Sequence, residues 1–161
     1  MPDHISTSLP QVPVRKSSYC TFITPYKQLR CGTANIYDYI VSGYAVPEKV
    51  IAYLRAGTPS LTRGGTYSHP FATHKVICSP TLLTDGKYVW DNHTWMYVLK
   101  YGLVLPAEFI DCVMSTAGDE FIDKAIDQSD LWCDIVKSIK KKQGYRSFLP
   151  STEELSKMEN F

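Results

Sequence analysis

The 161-residue sequence predicts an α+β fold, a single domain in which helices pack on one face of a small antiparallel sheet. Three observations predict this class. Runs rich in β-branched and aromatic residues, which are typical of strands, lie before Trp90. An Asp85-Gly86 pair, the strongest hairpin signal in the chain, joins two of these runs. After Trp90 the pattern is helical, and strands segregated from helices are typical of α+β domains.

The N-terminal region combines a predicted arm with two predicted strands. Residues 1–18 contain three prolines and almost no apolar pattern, so we expect an extended or mobile arm. Residues 19–161 are then expected to form one α+β domain, because the length suits one domain and no internal repeat is present. Tyr19–Thr24 and Ile36–Val41 have the β-branched and aromatic composition of strands.

A helix and a long loop are predicted next. Pro47 suits the first position of a helix, because its fixed φ is helical and its missing N–H is not needed there. The predicted helix spans Pro47–Ala56 and ends at Gly57. Thr58–Thr73 contains two prolines and a Gly-Gly pair, so we expect a loop there. Long loops in compact domains are often functional.

The remaining strands surround the hairpin. His74–Cys78 and Thr81–Thr84 are predicted strands separated by Pro80, and Lys87–Trp90 is the predicted return strand. Both central residues of the turn, Asp85 and Gly86, are expected at positive φ.

Helices with glycine stops account for the rest of the chain. They are predicted at Asn92–Tyr101 before Gly102, at Pro106–Thr116 before Gly118, at Asp119–Lys142 before Gly144, and, as a short piece, at Thr152–Met158. The aromatic side chains around Trp90 and Trp95 are expected to join helix to sheet in the core.

Composition argues against a membrane or secreted protein. The hydrophobic fraction of 44% and the charged fraction of 20% are ordinary for a globular domain. No apolar run approaches the about 18–20 residues of a membrane helix, and the N-terminus lacks a signal-peptide pattern. The five cysteines form no Cys-x-x-Cys pair, so most are expected to be buried, reduced thiols. We therefore expect a cytoplasmic protein with no membrane partner.

Charge is strongly segregated although the net charge is only +1. Eight acids and one lysine lie between Glu108 and Asp134, and five bases without an acid lie between Lys137 and Arg146. Within the predicted long helix, acids recur every three or four residues and so share one face. That face is either a solvated, helix-stabilising surface or a docking surface for a basic partner. The residues of this acidic line are Glu120, Asp123, Asp127, Asp130 and Asp134.

No catalytic or metal-binding constellation is recognisable. His69, His74, Cys78 and His93 are residue types that zinc accepts, but their spacing fits no zinc motif, so no metal site is expected. Cys31 is not paired with a histidine base by any pattern in the sequence. No glycine-rich phosphate loop is present. The chain is therefore expected to be non-enzymatic and to need no cofactor.

Direct binding of nucleic acid is not expected either. The basic run Lys137–Arg146 includes Tyr145, and such runs do occur in nucleic-acid-binding proteins. The acids immediately before it would repel phosphate, and the rest of the chain has no basic stripe.

Four segments together resemble a known group of small bacterial proteins. They are Pro47–Thr58, a helix ending in Gly-Thr; Leu83–Trp90, a Thr-Asp-Gly hairpin leading to a tryptophan; Tyr97-x-x-x-Tyr101; and Leu105–Phe109, a Leu-Pro-x-Glu-Phe helix start. The group looks like the immunity proteins of polymorphic toxin systems, including contact-dependent growth inhibition. The resemblance covers roughly residues 44–115. This family supplies no catalytic residues.

The resemblance implies a non-enzymatic protein that binds and neutralises a cognate toxin domain in the cytoplasm. Such toxins are often basic nucleases, and the acidic line from Glu120 to Asp134 would suit a basic partner. Two alternatives stay open. The chain is a small enzyme or ligand-binding domain that uses the Thr58–Thr73 loop beside Trp90 and His93, or a nucleic-acid accessory module that uses Lys137–Arg146.

Overall fold

The computed structural model describes residues 9–18, 20–62, 65–72, 74–78, 80–115 and 149–158, in which most strands precede most helices. The strands are β1 (Arg15–Lys16), β2 (Thr21–Phe22), β3 (Thr58–Thr62), β4 (Thr66–Ser68), β5 (Val76–Cys78), β6 (Thr81–Thr84) and β7 (Tyr88–Asp91). The helices are α1 (Glu48–Ala56), α2 (Thr94–Tyr101), α3 (Ala107–Met114) and α4 (Thr152–Met158), and two 3-10 turns cover Lys27–Leu29 and Ile36–Tyr39.

Strand β7 lies at the centre of the main sheet. The strand order is β1-β2-β7-β6-β3, and β4 pairs with β5 in a separate two-stranded sheet. The β6–β7 hairpin brings Leu83 opposite Trp90, which confirms the predicted hairpin and the α+β class. Within this sheet β2 runs parallel to β7, while the other pairs are antiparallel. A parallel pair needs a long crossover, and the chain between β2 and β7 supplies it.

The hairpin turn differs in detail from the predicted one. Only Gly86 has a positive φ, of 94°, so the expectation of positive φ at Asp85 was wrong. The Asp85 carboxylate instead accepts hydrogen bonds from the backbone N–H groups of Lys87 and Tyr88, at 2.8 and 2.7 Å. The Thr84 hydroxyl accepts another from the Gly86 N–H. Side-chain acceptors therefore shape this three-residue turn.

The predicted strand at Ile36–Val41 was wrong, because a 3-10 turn occupies Ile36–Tyr39. The Asn35 side chain accepts a hydrogen bond from the Tyr37 N–H, and the Gln28 side chain accepts one from the Ile36 N–H. These acceptors satisfy the first N–H groups of a helical turn, which competes with extended pairing.

The predicted loop at Thr58–Thr73 was also wrong, since it contains β3 and β4. β3 pairs with β6, with a register shift between Pro59 and Leu61. Proline has no backbone N–H to donate to a neighbouring strand, so sheets tolerate it mainly at irregularities of this kind. β4 and β5 form the second sheet, in which Tyr67 lies opposite Ile77. The prolines and glycines of this segment therefore interrupt or bound its strands, and they do not prevent strands from forming.

The helices begin and end close to the predicted residues. α1 follows Pro47, α3 follows Pro106, and Gly102 ends α2. α2 starts at Thr94 rather than at the predicted Asn92. The Asp91 carboxylate accepts a hydrogen bond from the His93 backbone N–H just before the helix begins. α4 has the predicted bounds. The predicted helix from Asp119 to Lys142, and the stops at Gly118 and Gly144, lie outside the described residues.

The core is organised around Trp90, which is fully buried. Its indole N–H donates to the Leu54 carbonyl of α1 at 2.9 Å. Its ring meets the Phe109 ring of α3 at a centroid distance of 5.4 Å, and Phe109 also contacts Tyr88 of β7 edge-on at 5.2 Å. α1 and α3 therefore pack on the face of the central strand that carries Tyr88 and Trp90.

Gly57 lies at the closest approach of α1 to the sheet. A Cβ added there would stand 2.6 Å from Cζ2 of Trp90 and 2.8 Å from Cβ of Leu83. The backbone of Gly57 has a φ of −53°, which any residue adopts. The glycine is thus required for space and not for conformation.

Among the helices of the described ranges, none has both the length and the apolar character that crossing a membrane demands.

Replacing Gly57 with alanine tests this close contact. Because two core side chains occupy the space of the new methyl group, Gly57→Ala should lower the free energy of unfolding by about 1–3 kcal/mol. It should also shift the indole N–H resonance of Trp90. Chemical denaturation and NMR measure the two effects.

Gly43→Ala is the matched control, because Gly43 has a φ of 82° and open space around its Cβ position. This variant should lose stability through backbone strain without moving the Trp90 resonance. A Gly57→Ala protein as stable as wild type, with an unmoved Trp90 signal, would contradict the packing.

Candidate functional site

A fully buried carboxylate, Asp91, ends the central strand. Its side chain accepts hydrogen bonds from the Tyr67 hydroxyl at 3.0 Å and from the His93 backbone N–H at 2.8 Å. The Tyr67 and Tyr97 hydroxyl oxygens lie 3.3 Å apart. The backbone N–H of Asp91 donates to the Thr24 hydroxyl of the preceding segment. These contacts join β7 to β4, to α2 and to the residues after β2.

The chemistry of this network favours a structural role. Burial, together with the nearby Asp91 carboxylate, raises the pKa of Tyr67 and of Tyr97 well above the usual range. Both phenols therefore stay protonated, and the Tyr67 hydroxyl donates to a carboxylate that has little other solvation. The Nδ1 atom of His93 lies 3.5 Å from Asp91 Oδ1, which is loose for a hydrogen bond.

A second buried acid, Asp85, lies in the hairpin turn that leads into the other end of β7. Asp85 accepts a 2.6 Å hydrogen bond from the Tyr53 hydroxyl of α1 in addition to its two backbone donors. Burial first, and then the Asp85 charge, raise the pKa of Tyr53 far above its ordinary value. Each end of β7 thus carries an aspartate held by a tyrosine from another element.

His69 lies in an aromatic enclosure beside the Asp91 network. Its ring meets the rings of Tyr97, Tyr101 and Phe71 at centroid distances of 5.7, 6.1 and 6.3 Å. Its Nδ1 atom accepts the Phe71 backbone N–H at 3.1 Å. Burial lowers the pKa of His69, and its electrostatic interactions with His93 and Lys75 lower it further. The folded protein therefore favours the neutral imidazole of His69.

An open cleft, which we call the Arg30 cleft, lies above Tyr67 and His69. It encloses about 380 Å³. Its lining residues come from three separate parts of the chain: Lys27, Gln28 and Arg30 from the first 3-10 turn and its end, Tyr37 from the second, and Thr66, Tyr67, Ser68, His69 and Pro70 from β4 and the turn after it. Sequence reasoning missed this cleft, because no local spacing links these three segments.

The structure separates the residues proposed for a pocket beside Trp90 and His93. Trp90 is fully buried in the core, which confirms the core prediction for this aromatic, and it does not line the cleft. His93 lies behind Tyr97, at a ring distance of 6.4 Å, and is not a lining residue either. The Arg30 cleft does use part of the Thr58–Thr73 segment, namely residues 66–70.

The candidate metal ligands occupy different environments. His69 is buried, whereas His74 and Cys78 are exposed. The part of the chain that the structure describes contains no group of three histidine, cysteine or acidic side chains arranged to hold a metal ion. Cys31 is buried, and its thiol donates to the Leu29 carbonyl.

The expectation that most cysteines are buried was wrong for the described residues. Cys31 is buried there, but Cys20 and Cys112 are half-buried and Cys78 is exposed. Cys78 is the last residue of the edge strand β5, whose residues alternate between exposed and half-buried positions. The prediction treated most of the cysteines as small buried hydrophobes and did not take account of the strand's open face.

The predicted docking residues lie outside the described residues. These are Glu120, Asp123, Asp127, Asp130 and Asp134, and the basic run Lys137–Arg146 and Cys133 lie outside as well. The structure does describe both flanks of this segment. α3 packs on α1 before it. After it, Leu149 packs on the core, and Glu154 of α4 pairs with Arg55 of α1 at 2.5 Å.

Arg55 connects this pairing to the core. Its guanidinium lies 4.6 Å from the centre of the Trp95 ring, so it stacks on α2 while it holds α4. The hydrogen bonds from Ser151 and Arg55 lower the pKa of Glu154. The described residues on both sides of the charged segment therefore contact α1, through the packing of α3 and through the Arg55–Glu154 pair.

Comparison with known proteins adds no relative. No protein-family model matches this chain, no curated protein matches it, and no solved structure matches it. Function is therefore inferred from the residues themselves.

Acid should weaken the fold through His69. The folded state lowers the pKa of His69, so below about pH 6.5 the unfolded chain binds more protons than the folded chain. The free energy of unfolding should therefore fall as the pH drops from about 7.5 to about 5, with a slope from this group of at most about 1.4 kcal/mol per pH unit. Urea titrations at several pH values measure the slope.

His69→Gln removes the titrating group and should flatten this pH dependence, whatever its effect on stability at neutral pH. His74→Gln changes an exposed histidine five residues away and should leave the slope as in wild type. An unchanged slope in His69→Gln would show that the buried imidazole does not titrate with folding.

Proposed function

We propose that this chain is a non-enzymatic immunity protein that binds and neutralises a cognate toxin domain in the cytoplasm. The observation that carries the proposal is the mutual contact of three of the four motifs on which the resemblance rests. Tyr53 of the first motif holds Asp85 of the second, and Gly57 of the first packs on Trp90 of the second. Phe109 of the last motif contacts both Tyr53 and Trp90.

Contacts of this kind explain why such motifs would occur together. Three of the four motifs each supply one surface of the same buried junction between α1, β7 and α3, so a change in one requires a change in its neighbours. The motifs then specify a shared scaffold, and the partner-binding residues lie elsewhere. This agrees with a family that has a common core and differing partners.

The acidic line from Glu120 to Asp134 is the proposed docking surface. The described residues on either side of it contact α1, through α3 and through the Arg55–Glu154 pair. Complementary charge accelerates association with a basic partner and disfavours other partners. A basic nuclease domain is the proposed class of toxin.

The two buried carboxylates support a non-enzymatic role. Asp85 and Asp91 are committed to tyrosine and backbone donors inside the fold. A general acid or base must reach a substrate, and the exposed area of both aspartates is close to zero. Their role in this proposal is to hold the scaffold.

Co-purification tests the proposal. The full chain should bind the protein encoded by the gene immediately upstream, and that protein should be toxic when produced alone. The triple variant Asp123→Asn, Asp127→Asn, Asp130→Asn should slow association by about tenfold or more at low salt, because it removes three aligned charges. Stopped-flow or surface plasmon resonance measures the rate.

A second triple variant controls for net charge. Asp38→Asn, Asp111→Asn and Glu153→Gln remove three exposed acids from the described surface and should leave the rate close to wild type. An upstream product that is not a toxin, or does not bind, contradicts the immunity function. Binding that is equally fast after both triple changes contradicts only the docking surface.

A further inference from the structure

The Arg30 cleft has the construction of a ligand site, and none of its lining residues belongs to the proposed docking line. Its volume of about 380 Å³ falls within the about 300–1,000 Å³ that is typical of small-molecule sites. Its walls are polar at Gln28 and Ser68, and Tyr37 supplies an aromatic surface. These residues derive from segments far apart in sequence, so the cleft exists only in the folded domain.

Hydrogen bonds fix each wall of the cleft. Gln28 is held by its bonds to Asn35 and to the Ile36 N–H. The Tyr37 hydroxyl donates to the Pro70 carbonyl, which fixes the ring across the cleft, although half of the Tyr37 surface remains exposed. Walls that are fixed before a ligand arrives reduce the entropy that binding costs.

Arg30 has an unusual backbone for its residue type. Its φ of 58° and ψ of 32° place it in the left-handed region, and it is the one residue other than glycine with positive φ among those described. Glycine would avoid this strain, which costs a bulky residue about 1–2 kcal/mol. The arginine side chain reaches across to the Thr66 carbonyl at 3.1 Å and so lines the cleft. Strained positions of this kind cluster at ligand sites.

The charge of the cleft indicates the chemistry of its ligand. Lys27 and Arg30 both line it, and no carboxylate belongs to the described residues of its lining. The Arg30 guanidinium and the Lys27 ammonium suit a phosphate or a carboxylate, and the Tyr37 ring suits a flat ring. We propose that the Arg30 cleft binds a small organic anion in which a phosphate or carboxylate group is attached to a ring-bearing molecule. The proposal does not depend on toxin binding.

NMR titration of the full-length chain at constant ionic strength tests the proposal. The probes are adenosine monophosphate and benzoate, which combine a ring with the two kinds of anion, and adenosine and inorganic phosphate, which carry one feature each. At least one combined probe should shift the amide signals of Arg30, Ser68 and His69 with saturation. The probe that binds more tightly identifies phosphate or carboxylate as the preferred anion. The single-feature probes should bind about tenfold or more weakly, because each lacks one set of contacts.

Variants connect the binding to the cleft. Lys27→Ala removes an exposed charge from the lining and should lower the affinity for the tighter-binding probe by about tenfold. Arg30→Gly removes the guanidinium while its backbone fits the left-handed conformation, so folding is preserved and binding should fall at least as much. Lys16→Ala, which removes a lysine outside the lining, should bind as wild type.

Two results would overturn the proposal. One is the absence of saturable shifts at the cleft with both combined probes. The other is equal affinity of wild type and Lys27→Ala for the better probe.

Discussion

The packing of one tryptophan against one glycine is the constraint on which the rest of the described structure depends. The Trp90 ring lies against Gly57, and its indole N–H caps the Leu54 carbonyl near the end of α1. The helix can approach the sheet this closely only because Gly57 lacks a side chain. The same ring contacts Phe109, so the position of α3 follows from that of Trp90.

Buried polar side chains fix the position of the central strand together with the packing of Trp90. A buried charge is costly unless it is hydrogen-bonded, and the aspartates at the two ends of β7 meet that requirement with tyrosines from α1 and β4. These bonds have direction, so they fix the register of neighbouring elements in a way that apolar packing alone does not. The central strand thus has an apolar junction in its middle and a polar junction at each end.

Features that depend on local chemistry could be predicted from the sequence. Pro47 and Pro106 mark helix starts, Gly102 marks a helix end, and the Asp85-Gly86 pair marks the hairpin; the structure has all four. Each follows from the backbone preference of one or two residues. The long helix at Asp119–Lys142 and its acidic line stay predictions.

Other features were not predicted from the composition of a segment. The Ile36–Val41 segment has strand composition, but it turns because Asn35 and Gln28, two and eight residues before the groups they bind, accept hydrogen bonds from its first N–H groups. β3 contains Pro59, which local rules count against a strand, and its pairing with β6 overrides that preference. The Arg30 cleft was missed for the same reason, since its three walls meet only after folding.

The scaffold and the two proposed surfaces are formed by different parts of the chain. The scaffold lies around β7, the proposed toxin-docking line follows α3, and the Arg30 cleft lies on the side of β4. A change at the Arg30 cleft can leave the Trp90 junction untouched, because no residue of that junction lines the cleft.

Native-state hydrogen exchange of the Trp90 indole N–H is the most direct measurement of the central claim. If the junction with Leu54 and Gly57 holds the fold together, this proton exchanges only when the whole domain unfolds. Its exchange free energy should then equal the global free energy of unfolding from denaturant titration, and both should fall equally with added denaturant. Faster exchange that is insensitive to low denaturant would contradict the account, because the junction would then open while the domain stays folded.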